Sequence, residues 1–142
     1  MYIADFHIHS RYSYATSKTC TLEYLDLWAR RKGIHIVGTG DFTHPAWREL
    51  KEKLAPAEDG LYILKEEYRL YDEADGKKID AYGRGQKEMI PRFIISGEIS
   101  SVYKKEGRSR KVHSLLLLPD FEAAERIADR LSQIGNICSD GR

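Results

Sequence analysis

Two histidines separated by one residue, His7 and His9, follow an apolar run near the start of the chain. Side chains alternate between the two faces of a β-strand, so Asp5, His7 and His9 are predicted to share one face. Neutral imidazoles are the commonest protein ligands for zinc and similar ions, and a carboxylate such as Asp5 could hold a ring N–H and fix the tautomer. A His-x-His pair alone is a weak signal, because ordinary hydrogen bonds also satisfy two histidines at a strand end.

Three further residues of ligand type follow or begin later apolar runs. Asp41 follows residues 34–37, Glu98 follows residues 92–96, and His113 lies at the start of the apolar residues 112–118. Parallel α/β sheets place their functional sites at the carboxyl ends of the strands, so these side chains are expected to meet. Such a set suits two or three ions of zinc, manganese or iron, with Asp41 and Glu98 as the catalytic carboxylates. The predicted ligands are His7, His9, Asp41, Glu98 and His113.

Several of these residues also have a structural interpretation. Asp41 and His44 precede Pro45 in a turn that could cap a helix. His44 could therefore bind a metal or support a residue that does, or it could only pack or cap. A histidine hydrogen-bonded to backbone would explain His113, although its position near Glu98 across a hairpin favours a ligand.

Seven cations are candidates for contacts with phosphate groups. Arg11 and Lys18 lie in the polar loop 10–19 that leaves the histidines, and five more surround Gly107 at a predicted hairpin tip. A solvated loop and a solvated tip are the alternatives. If the substrate is nucleic acid, the tip would contact its phosphates. The five cations of the tip are Lys104, Lys105, Arg108, Arg110 and Lys111.

The composition limits the classes of function. The 142 residues are one domain's worth of chain, and 42% hydrophobic with 32% charged residues is typical of a soluble globular protein. A formal net charge of +1 gives no global attraction to nucleic acid or membranes. No apolar run approaches the ~20 residues of a membrane span and no leader pattern is seen, so no membrane partner and a cytoplasmic location are expected. Two cysteines are too few for a disulfide framework.

The predicted elements place the candidate residues at one edge of a sheet. A strand, a helix that ends at Gly33 and a second strand within about forty residues form a βαβ unit with a parallel crossover. Asp120 caps the last helix. The predicted strands cover residues 2–8, 34–37, 92–96 and 112–119. The predicted helices cover residues 21–32, 46–54 and 61–71 with a last helix after Asp120, and residues 72–87 are a polar loop.

Residues 5–10, 38–41, 97–98 and 112–113 together resemble the motifs of the polymerase and histidinol phosphatase (PHP) family of metal-dependent phosphoesterases. Residues 9–18 and 37–41 are most similar to the endonuclease Q branch, some members of which are named UvrD-helicase-associated proteins. The resemblance implies an α/β fold: the first part of a distorted (β/α)7 barrel, with mainly parallel strands, covering helices and one β-hairpin. It also implies a trinuclear metal site and, in that branch, nicking of DNA on the 5′ side of deaminated bases.

By this resemblance His7 and His9 would hold one metal, Glu98 would bridge, His113 would hold the second, and Asp41 would serve the third. The family's Asp-His pair is interrupted here, because Phe42 follows Asp41. No histidine follows His113, so the family's later ligands have no counterpart. Residues 1–142 are therefore expected to form a single, incomplete PHP domain with partial metal binding, little activity alone and a sheet edge through which copies could associate.

Three functions stay open at this point. The first is a metal-dependent phosphodiesterase acting on DNA, which nicks beside deaminated bases in the full-length protein. The second is a small-molecule phosphatase of the same family. The third is a non-catalytic metal-binding or interaction module.

Overall fold

A six-stranded sheet and three helices form the part of the chain that the computed structural model describes, which is residues 1–44, 48–71 and 89–137. The predicted α/β class is confirmed. The sheet order is β1-β2-β5-β4-β3, and β6 pairs with β5. The elements are β1 (Ala4–Asp5), α1 (Leu22–Lys32), β2 (Ile36–Gly38), α2 (Arg48–Lys53), β3 (Leu54–Pro56), β4 (Tyr62–Leu64), β5 (Arg92–Lys105), β6 (Arg108–Leu118) and α3 (Phe121–Ser132).

The strands β1, β2 and β5 are parallel neighbours, with Ala4 opposite Ile36 and Ile36 opposite Arg92. Helix α1 connects the first two strands, so the predicted βαβ unit is confirmed. Gly33 ends the helix in the left-handed conformation (φ 70°), where its N–H meets the last carbonyls. Strand β1 is shorter than the predicted strand over residues 2–8. The carboxyl ends of β1 and β2 therefore lie at one edge of the sheet, and β5 continues past that edge to Lys105, beyond its predicted end at residue 96.

An antiparallel hairpin, β3–β4, extends the sheet beyond β5, where Tyr62 lies opposite Phe93. The helix predicted over residues 61–71 is wrong, because this segment forms β4 and a short 3₁₀-helix, Glu66–Tyr68. Its side chains alternate as a strand requires: Leu64 is fully buried and the Tyr62 ring packs on Phe121 at 4.8 Å.

The strands β5 and β6 form the long hairpin that was predicted, with its tip at Gly107. Lys105 pairs with Arg108, so the turn contains only Glu106 and Gly107. Both turn residues have positive φ (53° and 72°), as the tight hairpin turns that match strand twist require. The hairpin carries Glu98 and His113 on one two-stranded ribbon.

Helix α3 begins at the predicted cap, where the Asp120 carboxylate accepts a hydrogen bond from the Ala123 N–H at 2.6 Å. Ala124 and Ala128 are its buried residues. The core beneath the site is formed by fully buried side chains: Phe42, Leu64, Phe93 and Ile95.

Some predicted features lie outside the described residues: the loop 72–87, Cys138, and the part of the predicted helix 46–54 that precedes Arg48. The remainder of that helix is observed as α2. Within the described ranges, no helix combines the length and apolar character that crossing a membrane needs.

Replacement of Gly38 by alanine tests how closely the strand ends pack. A Cβ at Gly38 would overlap Ser96 Oγ and lie 2.5 Å from the Phe6 carbonyl oxygen, so neighbouring backbone must shift. We expect Gly38→Ala to lower the free energy of unfolding by about 1–3 kcal/mol in chemical denaturation. Gly135→Ala is the control, since its nearest neighbour is the Leu131 carbonyl oxygen at 4.0 Å. Equal stabilities of the two variants would contradict this packing.

Candidate metal centre

Glu98 lies at the centre of the candidate site, on β5, with its side chain 11% exposed. Its Oε2 atom is 2.6 Å from His7 Nε2 and 3.4 Å from His9 Nε2. Its other oxygen, Oε1, contacts Nδ1 of His113. The structure thus brings four of the five predicted ligands into direct contact around one carboxylate.

The arrangement of these groups fits a metal ion. The ligand atoms of His7, His9 and Glu98 all lie within 4.8 Å of one another. Imidazole nitrogens and a carboxylate oxygen are the donors that zinc, manganese and iron accept. The cluster opens into a cavity of about 360 Å³, which Ser100, Lys111 and His113 also line. An ion held here would be reachable by a substrate.

Asp41 lies next to the cluster, and its oxygens are engaged by serine donors. The Ser10 N–H and hydroxyl donate to Oδ2 at 2.8 and 2.5 Å, and the Ser13 hydroxyl donates to Oδ1 at 2.7 Å. The residue is 8% exposed and has a positive φ of 48°. Its Oδ1 atom is 3.8 Å from His9 Nδ1. Asp41 therefore ties the loop after β1 to the turn after β2.

Ser13 determines which nitrogen of His9 faces the cluster without a proton. A hydroxyl has one proton, and an ionised carboxylate only accepts, so the Ser13 proton goes to Asp41. The Ser13 oxygen then accepts from His9 Nδ1–H, which lies 3.1 Å away. His9 Nε2, the atom next to Glu98, keeps its lone pair, which is the tautomer that a metal ion needs.

Sequence reasoning did not identify Ser10 and Ser13 as partners of Asp41. One signal was available. The polar loop after the histidines offers several hydroxyls, which are suitable donors to a carboxylate.

The other candidates near the histidines lie outside the cluster. In the described part of the chain Asp5 makes no hydrogen bond to either histidine. The His44 ring stacks on Tyr12 with a centroid distance of 4.6 Å, so it packs in an outer layer. The Cys20 thiol donates to the His9 carbonyl at 3.0 Å. Burial, with the charge of Asp41, raises the pKa of this thiol, so Cys20 supports the loop as a neutral group.

Arg11 is engaged by a carboxylate. Its guanidinium donates to Glu49 at 2.6 Å, and the Tyr12 hydroxyl donates to the same oxygen. Burial raises the pKa of Glu49, but hydrogen bonds from Lys53 and Tyr12 outweigh it, so the net pKa lies below its usual value. Arg11 therefore has an ionised partner within the protein, which lowers its availability for phosphate.

The remaining cations are exposed, and among the residues described here they pair with no carboxylate. Lys18 lies in the loop after the histidines, and five cations lie on the β5–β6 hairpin. Of these six, Lys111 lines the same cavity as the cluster. The exposed cations are Lys18, Lys104, Lys105, Arg108, Arg110 and Lys111.

Replacement of Ser13 by alanine tests the orientation of His9. We expect Ser13→Ala to weaken Mn²⁺ or Zn²⁺ binding by about tenfold in calorimetric titration, because the group that orients a ligand is lost. His7→Ala, which removes a donor, should lose more. Ser17→Ala is the control, since Ser17 is exposed and its hydroxyl bonds to Thr19. Affinity equal to that of the control would contradict a role for Ser13.

Two solved structures of endonuclease Q are similar to this chain. Over 98% of its length the chain matches a crystal structure of endonuclease Q in complex with a 27-mer duplex substrate that has an abasic lesion at the active site. It matches equally well the structure of the lesion-specific endonuclease Q from Pyrococcus furiosus. Each match has a TM-score of 0.64 and 30% sequence identity.

The chain spans 28% of the length of those two structures. A segment of 45 residues, 32% of the chain, is also 49% identical to an uncharacterized protein of Methanocaldococcus jannaschii and covers 6% of that protein. No family model matches the chain. The chain is thus similar, over nearly its whole length, to one portion of endonuclease Q.

Proposed function

We propose that this chain carries the metal ligands of a metal-dependent phosphodiesterase that acts on DNA, as part of a PHP-type barrel. One observation carries the proposal: the two oxygens of Glu98 face different ligand groups. Oε2 faces His7 and His9, and Oε1 faces His113. This arrangement fits two ion positions that share Glu98, with Asp41 adjacent for a third.

The residues have separate tasks in this proposal. His7, His9 and His113 would hold the ions, and Glu98 would bridge them. When bound, divalent ions supply positive charge that offsets the charge of a phosphate and activates water for attack. Asp41 and Ser13 hold His9 in the metal-binding tautomer. The open cavity gives the phosphate a way in, and its lining adds a cation, Lys111, near the cluster.

The similarity to endonuclease Q supports DNA as the partner. One of the matched structures contains a duplex substrate with an abasic lesion, and the other is a lesion-specific endonuclease. We therefore expect damaged duplex DNA as the substrate class, with deaminated bases among the lesions. The proposal also includes a seven-stranded barrel, ions of zinc, manganese or iron, and full activity that depends on further ligands.

Association of copies stays a prediction. Apolar side chains on β6 support it: Val112, Leu115 and Leu117 are 45%, 39% and 42% exposed. An outer strand with exposed apolar groups is a surface that proteins usually cover.

A nicking assay tests the proposed function. The chain is incubated with Mn²⁺ or Zn²⁺ and a labelled duplex that carries one uracil, hypoxanthine or abasic site. We expect a slow cut on the 5′ side of the lesion that chelation abolishes. Glu98→Gln should abolish it too, because the amide keeps the shape but loses the charge that holds the ions. Glu66→Gln, on the 3₁₀-helix, is the matched control.

The assay also separates the alternatives. Turnover of a phosphomonoester without any cut in DNA would favour a small-molecule phosphatase. Bound ions without turnover of either substrate would favour a non-catalytic metal-binding module. An equally active Glu98→Gln protein would contradict the proposed role of the cluster.

A further inference from the structure

Side chains alternate along the two strands of the β5–β6 hairpin, so its residues divide between two faces. Cross-strand partners point to the same side of a sheet, and residues two apart share a face. Glu98 pairs with Leu115, Ser100 with His113, and Val102 with Lys111. The face that carries the cluster therefore continues toward the tip through Ser100 and then Lys111. Arg108 and Arg110 lie on the opposite face.

Ser100 presents a buried hydroxyl that lacks a hydrogen-bond partner within the described residues. A buried hydroxyl without a partner costs folding free energy, because it has lost its hydrogen bonds to water. Nearly all buried polar atoms in native proteins are therefore paired. Ser100 lines the cavity of the cluster and also a neighbouring open groove of about 660 Å³. A ligand atom that accepts a hydrogen bond at this position would satisfy the hydroxyl.

Lys111 places a positive charge beside that hydroxyl. It lines the same two cavities as Ser100. No carboxylate in the described ranges pairs with it, in contrast to Arg11, which Glu49 engages at 2.6 Å. On a two-stranded ribbon, Lys111 and Ser100 are diagonal neighbours, within reach of one ligand group. A free ammonium and a free hydroxyl donor together suit a phosphate oxygen.

We propose that Ser100 and Lys111 form a phosphate-binding subsite for a neighbouring phosphate of the strand whose scissile phosphate lies at Glu98. This rests on the proposed function and names the two residues that would hold the DNA strand beside the metal centre. A strand rises ~3.3 Å per residue, so Ser100 lies roughly 7 Å from Glu98 along the ribbon. Val102, which pairs with Lys111, lies roughly 13 Å from Glu98. A second phosphate at that distance belongs to a polynucleotide, because a phosphomonoester has only one.

Fluorescence anisotropy with a labelled duplex oligonucleotide tests the subsite on the chain loaded with Mn²⁺. We expect Lys111→Gln to weaken DNA binding about fivefold or more and to reduce the salt slope by about 0.9, the loss of one phosphate contact. Lys32→Gln is the matched comparison, since it makes the same substitution at an exposed cation in the last turn of α1 that lines neither cavity; its affinity for DNA should change less than twofold.

Replacement of Ser100 gives an independent measurement. Ser100→Ala removes the unpaired hydroxyl and should weaken DNA binding about threefold or more, with no change in the salt slope. Ser114→Ala, on the opposite face of β6, is its control. A circular dichroism melt confirms that each variant is folded.

The outcomes separate this inference from the proposed function. If the unaltered chain binds DNA but Lys111→Gln and Ser100→Ala match their controls, the subsite is overturned and DNA recognition stands. If the unaltered chain binds no DNA, both are overturned. If Lys111→Gln weakens the binding of a phosphomonoester as much as it weakens the binding of DNA, the assignment to a second phosphate of a polynucleotide is wrong.

Discussion

The hydrogen bonds of the Asp41 carboxylate are the interaction on which the site depends, because they join the loop after β1 to the turn after β2. Ser10 and Ser13 supply three donors at 2.5–2.8 Å. The backbone pays for this with positive φ at Gly40 and Asp41, a cost of roughly 1–3 kcal/mol at a non-glycine residue. Three hydrogen bonds to an ionised acceptor offset a cost of that size. The orientation of His9 follows from them.

Much of the fold could be predicted because its signals are local. A glycine in the left-handed region ends α1, Asp120 caps α3, and a glycine marks the tip of the long hairpin. The hairpin β3–β4 could not be predicted in this way. Tyr62 and Leu64 also suit a helix. Their segment is a strand because it pairs with β3 on one side, with Leu54 opposite Leu64, and meets Phe93 of β5 on the other, about thirty residues away in sequence.

In the site, residue types and their positions beside apolar runs were sufficient to predict that His7, His9, Glu98 and His113 come together; their binding of a metal stays a prediction. The partners of Asp41 were missed, because the choice among several hydroxyls depends on distances that spacing in sequence does not give. The sequence also did not show which cations around Gly107 share a face with Glu98. The observed β5 extends to Lys105, and only this length divides these cations between two faces.

The site joins parts of the chain that are far apart in sequence: His7 and Glu98 are separated by 91 positions. Closing so long a loop costs more chain entropy than forming the β5–β6 hairpin, whose two-residue turn makes its contacts local. The hairpin is therefore expected to form early in folding, and the cluster only when β1 and β2 dock. An ion that binds across this late contact would mainly slow unfolding and change the folding rate little.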